Sequence, residues 1–528
     1  MKKSMVFAFV VTAALLGRAQ VSFEKYYTSN LGVSATMSMC ELTSGNLLTG
    51  IGLTSLLSQQ GDVLNVHSYE VIPMTKMLSH RKLTDNSFYF CGGYLADSCG
   101  ANGSSTIPFT YPVIGKMDSM GTIQSMHRYV LNGPKCTYPP MDLEVTQGGG
   151  AVVWDSDDRF FALRVDSSGA PVWSRQFDHE GSITFIRELP GGDLLAGITM
   201  DTAGIVVARL TANGDPVWSR SYIRTKGRIL DCVVESDGSF IITGYTDRFT
   251  GSSLFPLPSE YDPKLFLMKL DGSGQVQWCK GYATPSGWYA DLGAQVERTA
   301  EGDYVVLANT GVPNYNWEDK LFLMKADANG DTLWTRSIGV GGYRYLAASL
   351  LAASDGGYYV DGLATGNFGQ WSDAMFLFKT DVLGQLPCHA GSLPVEVVDL
   401  FPADSSVTLN SFTGATQQPA SVSDMQYDPM VAIDACTIGG LVETGRPERQ
   451  IRVRPNPNTG RFTLDFKDAL LADTYYSVFD ATGKLLYQRP LPAGKGTEEV
   501  DLSRYSKGIY VIKCTAKDGV YHQRVVVE

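Results

Sequence analysis

Leu265-Phe-Leu-Met-Lys-Leu-Asp-Gly-Ser-Gly-Gln-Val-Gln-Trp-Cys-Lys-Gly-Tyr282 reads as strand, turn, strand. An apolar run closes on a basic residue, Asp271 to Gly274 has turn chemistry, and Trp278, Lys280 and Tyr282 alternate along the outgoing strand. The pattern recurs at Lys116-Met-Asp-Ser-Met-Gly121, Arg164-Val-Asp-Ser-Ser-Gly169, Arg209-Leu-Thr-Ala-Asn-Gly214, Lys325-Ala-Asp-Ala-Asn-Gly330 and Lys379-Thr-Asp-Val-Leu-Gly384. Trp173, Trp218, Trp278 and Trp334 follow the turn at a fixed step. A basic residue and usually an aromatic come next.

A second turn opens each unit. Ser44-Gly-Asn-Leu-Leu48, Asp85-Asn-Ser-Phe-Tyr-Phe90, Gly192-Asp-Leu-Leu195, Asp237-Gly-Ser-Phe-Ile-Ile242, Glu301-Gly-Asp-Tyr-Val-Val306 and Asp355-Gly-Gly-Tyr-Tyr-Val360 lead into apolar strands, and Gly148-Gly-Gly-Ala-Val-Val153 is a looser version. Four strands per unit at a spacing of about fifty residues predict an all-β, multi-bladed propeller of about seven blades over 20–388. The unit between 51 and 84 is degenerate, which leaves six or eight blades open, and an open solenoid is the competing architecture. The last copy shows Cys388 where tryptophan belongs and lacks an outer strand. Phe23-Glu-Lys25-Tyr-Tyr27 supplies the missing pattern, so the N-terminal strand is expected to complete the last blade and remove an exposed sheet edge.

The repeat resembles the tryptophan-docking repeats of quinoprotein-like propellers, and less closely the Asp-box turns of sialidases. That resemblance implies structural roles for Asp166, Gly169, Trp173, Trp218, Asp271, Gly274, Trp278, Asp327, Gly330 and Trp334: the carboxylate holds the turn, and the indole packs between blades. Residues repeated in every blade cannot all face one active site.

Composition agrees with many short strands: 55 glycines and 26 tyrosines in 528 residues, with 19% charged. A net charge of −12 opposes nucleic acid or an anionic membrane as partner. Lys2 and Lys3 precede an apolar run, Met5 to Leu16, and then Gly17-Arg18-Ala19, which reads as a signal peptide over 1–19. The run is too short to span a bilayer, and no later stretch approaches the needed length.

At the other end stand Arg452-Val-Arg-Pro-Asn-Pro-Asn-Thr-Gly-Arg-Phe-Thr-Leu-Asp-Phe466, Asp480-Ala-Thr-Gly483, Gly508-Ile-Tyr-Val-Ile-Lys513 and Arg524-Val-Val-Val-Glu528. Alternation at Phe462, Leu464 and Phe466 gives strands with one buried face, entered through a stiff proline bend, and the unit is expected to be a small immunoglobulin-like β-sandwich. The motif order resembles the type A C-terminal sorting domain of the type IX secretion system of Bacteroidetes, carried by Pro455, Asn456, Pro457, Gly460, Gly483, Gly508 and Tyr510. The resemblance, over about 446–528, implies export by the type IX machinery, a secreted or surface-attached protein, and removal of the domain near 440–450. Residues 389–450, rich in Ser, Thr, Pro and Gln, read as the linker to a sorting domain at 451–528.

The nine cysteines form no CxxC pair. Cys91 with Cys99 and Cys388 with Cys436 are plausible disulfides in an oxidising compartment, and Cys514 reads as apolar filler. The six histidines show no metal-ligand spacing, and no GxSxG, phosphate loop or dinucleotide fingerprint occurs. Asp327-Ala-Asn-Gly-Asp331 lacks the glycine and glutamate of a calcium loop. No catalytic, metal or cofactor residue is therefore assigned. Insertions at 249–261, 286–289, 312–318 and 367–371 are rich in aromatic and small polar residues, and Trp288, Tyr315, Trp317 and Trp371 are the ligand-binding candidates. The expected role is surface binding or adhesion to glycan or extracellular protein. The alternatives are a glycan- or peptide-degrading hydrolase or lyase, which a carboxylate cluster in the central channel would favour, and a structural coat protein.

Overall fold

The computed structural model describes residues 22–28, 38–49, 53–68, 74–95, 110–131, 142–155, 160–177, 181–200, 204–223, 227–246, 264–283, 295–310, 320–368, 371–402, 404–409, 411–419, 431–438, 451–466, 474–480, 485–492, 496–516 and 519–528. Two compact units divide at Gly440 and Leu441. The signal-peptide residues 1–19, Cys99 and Cys136 lie outside the described residues.

Among the described residues the first unit contains seven antiparallel sheets. In chain order they begin with the strands Met39–Glu41, Met74–Lys82, Asp142–Val145, Gly181–Glu188, Gly227–Val234, Gln295–Arg298 and Arg344–Ala352, and are numbered I to VII accordingly. Each of these first strands lies beside the first strand of the next sheet, and that of sheet VII lies beside that of sheet I. The seven first strands therefore close into an inner ring, a propeller-like arrangement. Every gap between neighbouring sheets holds its own apolar core, from Leu48, Phe88 and Phe90 between sheets I and II round to Tyr27, Leu47 and Leu57 between VII and I. Val, Ile, Phe and Leu alternate along strands buried on both faces, so each strand feeds two cores.

The N-terminal strand Phe23–Thr28 pairs antiparallel with Trp371–Thr380, in register from Phe23 opposite Lys379 to Tyr27 opposite Met375. Sheet VII thus combines both ends of the repeat region. Asp361 of sheet VII, fully buried, accepts hydrogen bonds from Thr49 of sheet I at 3.0 Å and Ser349 at 2.7 Å.

The described stretches between 390 and 434, expected to be linker, are drawn into the first unit as a belt. Short strands add in turn to the outer edge of sheet VI (Ala390–Gly391), V (Glu396–Asp399), IV (Ser405–Ser406), III (Ser411–Thr413) and II (Ala415–Pro419), and then Val431–Asp434 pairs with the N-terminal strand in sheet VII. Between strands the belt presses apolar residues into the cores, Leu393 and Val395 between sheets V and VI, Leu400 between IV and V, Val407 and Leu409 between III and IV, and from its last strand Ile433 enters the core between VI and VII. Low hydrophobic content hid this. Isolated apolar residues every few positions suffice when each plugs an existing gap, and no period of two arises. Glu396–Asp399 and Val431–Asp434 thus edge different sheets.

Cys388 and Cys436 form a disulfide across 48 positions. Cys91 carries a buried thiol in place of a bridge to Cys99, because its strand turns it into the core between sheets II and III, where burial pushes the thiol well up.

The second unit has a three-stranded sheet (Ile451–Arg454, Arg461–Phe466, Thr497–Asp501) and a four-stranded one (Thr474–Asp480, Leu485–Leu491, Gly508–Ala516, Gly519–Val527). Phe462, Leu464 and Val500 from the first meet Tyr476, Val478, Ile512 and Val525 from the second in one core. Among the described residues no helix is long and apolar enough to cross a membrane.

Candidate functional site

The repeated motif residues form the outer joints between sheets. Asp271 accepts hydrogen bonds from the Ser273 amide at 2.8 Å, its hydroxyl at 2.7 Å and the Gln275 amide at 2.9 Å, which holds its carboxyl below the usual range. Asp166 and Asp327 hold their turns alike, each accepting from amides two and four residues ahead. Gly274 and Gly330 sit at φ of +82° and +81°, and a Cβ on either would come within 2.9 Å of Trp218 or Trp278, the tryptophan of the preceding sheet. Trp173 reaches sheet IV in the same way, donating Nε1 to Ala212 at 2.9 Å, and Trp334 lies against Gly384 of sheet VII. The basic and aromatic residues after the tryptophan complete the joint: Lys280 pairs with Asp331 at 2.5 Å and Tyr282 donates to the Gly330 carbonyl at 2.6 Å. Phe23, Lys25 and Tyr27 play these parts against Gly61 and Asp62 of sheet I.

The inner ring obeys a different rule. Each first strand ends in a tight turn whose opening amide bonds four residues ahead, at Leu42, Leu83, Thr146, Leu189, Glu235, Thr299 and Ala353. Three residues before it stand core positions such as Leu143, Ile186, Cys232 and Val296. Two residues before it stand Cys40, Arg81, Glu144, Arg187, Val233, Glu297 and Leu351; four before it stand Ser38, Ser79, Asp142, Phe185, Asp231, Gln295 and Ser349. In sheets II, IV, V and VII a β-bulge precedes the second set, between Met77 and Ser79, Ile183 and Phe185, Ile229 and Asp231, and Ala347 and Ser349. A bulge at one register in four strands re-aims the residues after it.

These two sets bring polar side chains to the axial edge of the gaps. Asp142 accepts from Ser79 at 2.5 Å and pairs with Arg81 at 2.7 Å. Asp231 pairs with Arg187 of sheet IV at 2.5 Å and accepts from the Val296 amide of sheet VI at 3.0 Å, joining three sheets. Gln295 accepts from the Leu350 amide at 2.6 Å and donates to Ala348 at 2.8 Å. Glu144 accepts from the Glu188 amide at 3.3 Å. The Glu297 side chain makes no hydrogen bond to a described residue. Arg187 and Asp231 keep 21% and 13% of their side-chain surface, so water reaches a space that protein otherwise surrounds. Burial raises the carboxyls of Glu144 and Asp231 against the pull of Arg187. It pushes Glu297, with Asp231 adding to it, up to about 7. The site can thus hold and exchange a proton near neutrality on a carboxyl that is not tied to the scaffold.

Sequence reasoning did not find this cluster. The seven strands carry it on residues far apart in the chain and of mixed type, and the signal becomes visible only when the strands are aligned on their turns. Trp288, Tyr315 and Trp317 lie outside the described residues. Trp371 opens its strand opposite Phe368, and its side chain is likewise outside them. His80 is fully buried against Ser38 at 2.7 Å, and burial, then Arg81, pushes it down to about 3, which makes it a neutral scaffold residue. In the second unit Asn458 and Gly460 shape the entry to the sheet: Asn458 accepts from the Gly460 amide at 2.8 Å, and Asn456 accepts from Val526 at 2.8 Å. Pro455 and Pro457 follow cis peptide bonds, and Gly508 and Tyr510 lie on a strand beside Val525 and Val527. Gly483 is outside the described residues.

Residues 452–528 match the model of the secretion-system C-terminal sorting domain. Among curated proteins no sequence matches. Solved structures with similar architecture include a protein of unknown function from Bacteroides caccae, 11% identical over 60% of this chain and 93% of that one, TM-score 0.35. Hydrazine synthase of Kuenenia stuttgartiensis is 12% identical over 67% and 97%, TM-score 0.45. A GH43 β-xylosidase/α-arabinofuranosidase from a compost microbial metagenome is 10% identical over 63% and 93%, TM-score 0.27. At these scores they carry no argument about this chain's chemistry. The terminal match does: it marks the protein as a type IX secretion substrate, secreted or attached to the outer-membrane surface.

Proposed function

We propose that the protein is a surface or secreted binding protein of adhesin type from a Bacteroidetes cell. In this reading each of the seven sheets is one propeller blade and the C-terminal unit is an immunoglobulin-like sandwich removed near 440–450. The observation that carries it is the sorting of connections by end. Strands alternate up and down, so both tight turns of every sheet lie at one end, while the strands flanking 247–263, 284–294, 311–319 and 369–370 all stop at the other. Those segments join consecutive strands of sheets V, VI and VII or link V to VI. Trp288, Tyr315, Trp317 and Trp371 are therefore attached to one end of neighbouring sheets, suited to a sugar or extended peptide. Single alanine variants of the four should each be screened with the secreted chain on arrayed glycans and matrix proteins. A loss of tenfold or more for at least one is expected; unchanged binding by all four would sink the loop-face reading. Intact mass of the secreted form tests the cleavage, and retention of Glu528 would count against it.

A second reading, a hydrolase or lyase on glycan or peptide, is favoured by Glu297, a carboxyl near neutral pKa in the axial cluster. It predicts product release from some member of the same panel and abolition of that turnover by Glu297→Gln. Turnover that survives this substitution would remove Glu297 from the chemistry.

A further inference from the structure

The belt and its disulfide together make a closed covalent loop. Cys388 opens the belt, just before its first strand in sheet VI. Cys436 follows its last strand, Val431–Asp434, which lies on the N-terminal strand of sheet VII. The chain leaves sheet VII, edges sheets VI, V, IV, III and II on their outer strands, and returns to sheet VII, where the two sulfurs meet.

That point is the strand that closes the propeller. Phe23–Thr28 has Trp371–Thr380 on one side and the last belt strand on the other. Glu24, whose side chain is fully buried, accepts hydrogen bonds from the Cys388 amide at 2.7 Å and the His389 amide at 3.0 Å, and its other oxygen meets His389 Nδ1 at 2.5 Å. A Glu24 carboxylate oxygen and both sulfurs lie within 4.8 Å of one another. Two thiols beside a carboxylate would be a metal-ligand set, but oxidation consumes the thiolates a metal requires. The geometry is that of a clasp sitting on the closing strand.

We propose that the Cys388–Cys436 disulfide is a redox clasp: closed, it turns residues 388–436 into a hoop that prevents the N-terminal strand from leaving sheet VII; open, it lets the ring part at that strand. Closing the clasp takes two protons and two electrons from the two thiols and passes them to a disulfide donor, which becomes a dithiol; an added dithiol reverses the exchange. Release of Phe23–Thr28 requires the last belt strand and the Glu24 contacts to move, and the disulfide holds the belt ends together while they are in place. Without it each belt end can peel separately, as a frayed terminus does. Loop closure in the unfolded chain adds to the effect, since a loop of this length loses substantial entropy on cross-linking.

The test uses the secreted protein, which keeps both cysteines whether or not the C-terminal unit is removed. Peptide mapping under non-reducing conditions should recover residues 388 and 436 in one cross-linked peptide; recovery of either cysteine as a thiol or with another partner would overturn the proposal. Amide hydrogen exchange is then measured on the oxidised protein and on the same protein reduced after folding with dithiothreitol, with intact mass confirming reduction. Protection within 23–28 and 431–434 should fall by tenfold or more on reduction, while strands of sheets III and IV change little. Unchanged protection in verifiably reduced protein would refute the lock. Cys388→Ser/Cys436→Ser repeats the comparison without reductant, and because the wild-type arm needs no mutant, a variant that fails to fold leaves the test intact.

Discussion

Rim and axis of the same seven sheets follow opposite rules. At the rim, tryptophan, base, tyrosine, aspartate and glycine recur from sheet to sheet, and each meets the same partner on its neighbour. At the axis one register position is filled in turn by Arg81, Glu144, Arg187, Val233 and Glu297, chemically unlike and each with its own contacts. Repetition marks what every joint needs to close the ring. A position that geometry repeats and chemistry does not is free to serve something other than closure.

The largest expected effect comes from the axis, where the charges are few and enclosed. Arg187→Met leaves Asp231 facing Glu144 and Glu297 without its cation, and should cost about 3 kcal/mol in denaturant unfolding at pH 8. Because the orphaned carboxylates can take up protons, the deficit should shrink as pH falls toward 5. A pH-independent loss would show that Arg187 acts through packing on Phe185 and not through charge.

At the rim, Trp278→Ala removes a half-buried indole from its seat on Gly330 and should cost about 2 kcal/mol, less than full burial would imply. The same change at Trp173 and Trp218 should cost a similar amount, since the joints are alike. A spread as wide as that among axial substitutions would break the contrast.

The rim is the part that was legible in sequence, and for the same reason. A joint built from one tryptophan and one turn at fixed spacing leaves a periodic trace, and Phe23, Lys25 and Tyr27 were recognisable as its displaced copy because the joint tolerates phenylalanine for tryptophan. The axial cluster left no trace, since its members share a register and not a residue type. The belt left none either: Leu393, Leu400 and Val407 plug gaps that other strands create, so their meaning lies in partners far away in the chain. The four aromatic candidates were found through composition alone.

Glu297→Gln probes the axis more gently. A carboxyl raised from 4.5 to about 7 binds its proton more tightly in the folded chain. Folding is therefore favoured below the unfolded value, and that advantage is lost as pH rises from about 4.5 through 7. Glutamine never ionises and escapes the loss, so the variant should match wild type at pH 4 and be the more stable of the two at pH 8. Equal stability at both values would mean that Glu297 is well solvated and its carboxyl ordinary.

The smallest effect belongs to a repeated position that packs against little. Leu64, Val172, Val217 and Leu333 share one register on the outgoing strand, the last three just before the tryptophan, and each keeps slightly more than half its surface in contact with water. If repetition at the rim matters only through the joints, then Val172→Ser and Val217→Ser, whose side chains point away from them, should shift stability by less than about 0.5 kcal/mol. Equilibrium unfolding of both variants beside Trp173→Ala separates two explanations for a recurring apolar residue. A loss near that of the tryptophan change would mean that the exposed row takes part in holding the sheets together, and that the boundary between architecture and free surface lies further out than the indoles.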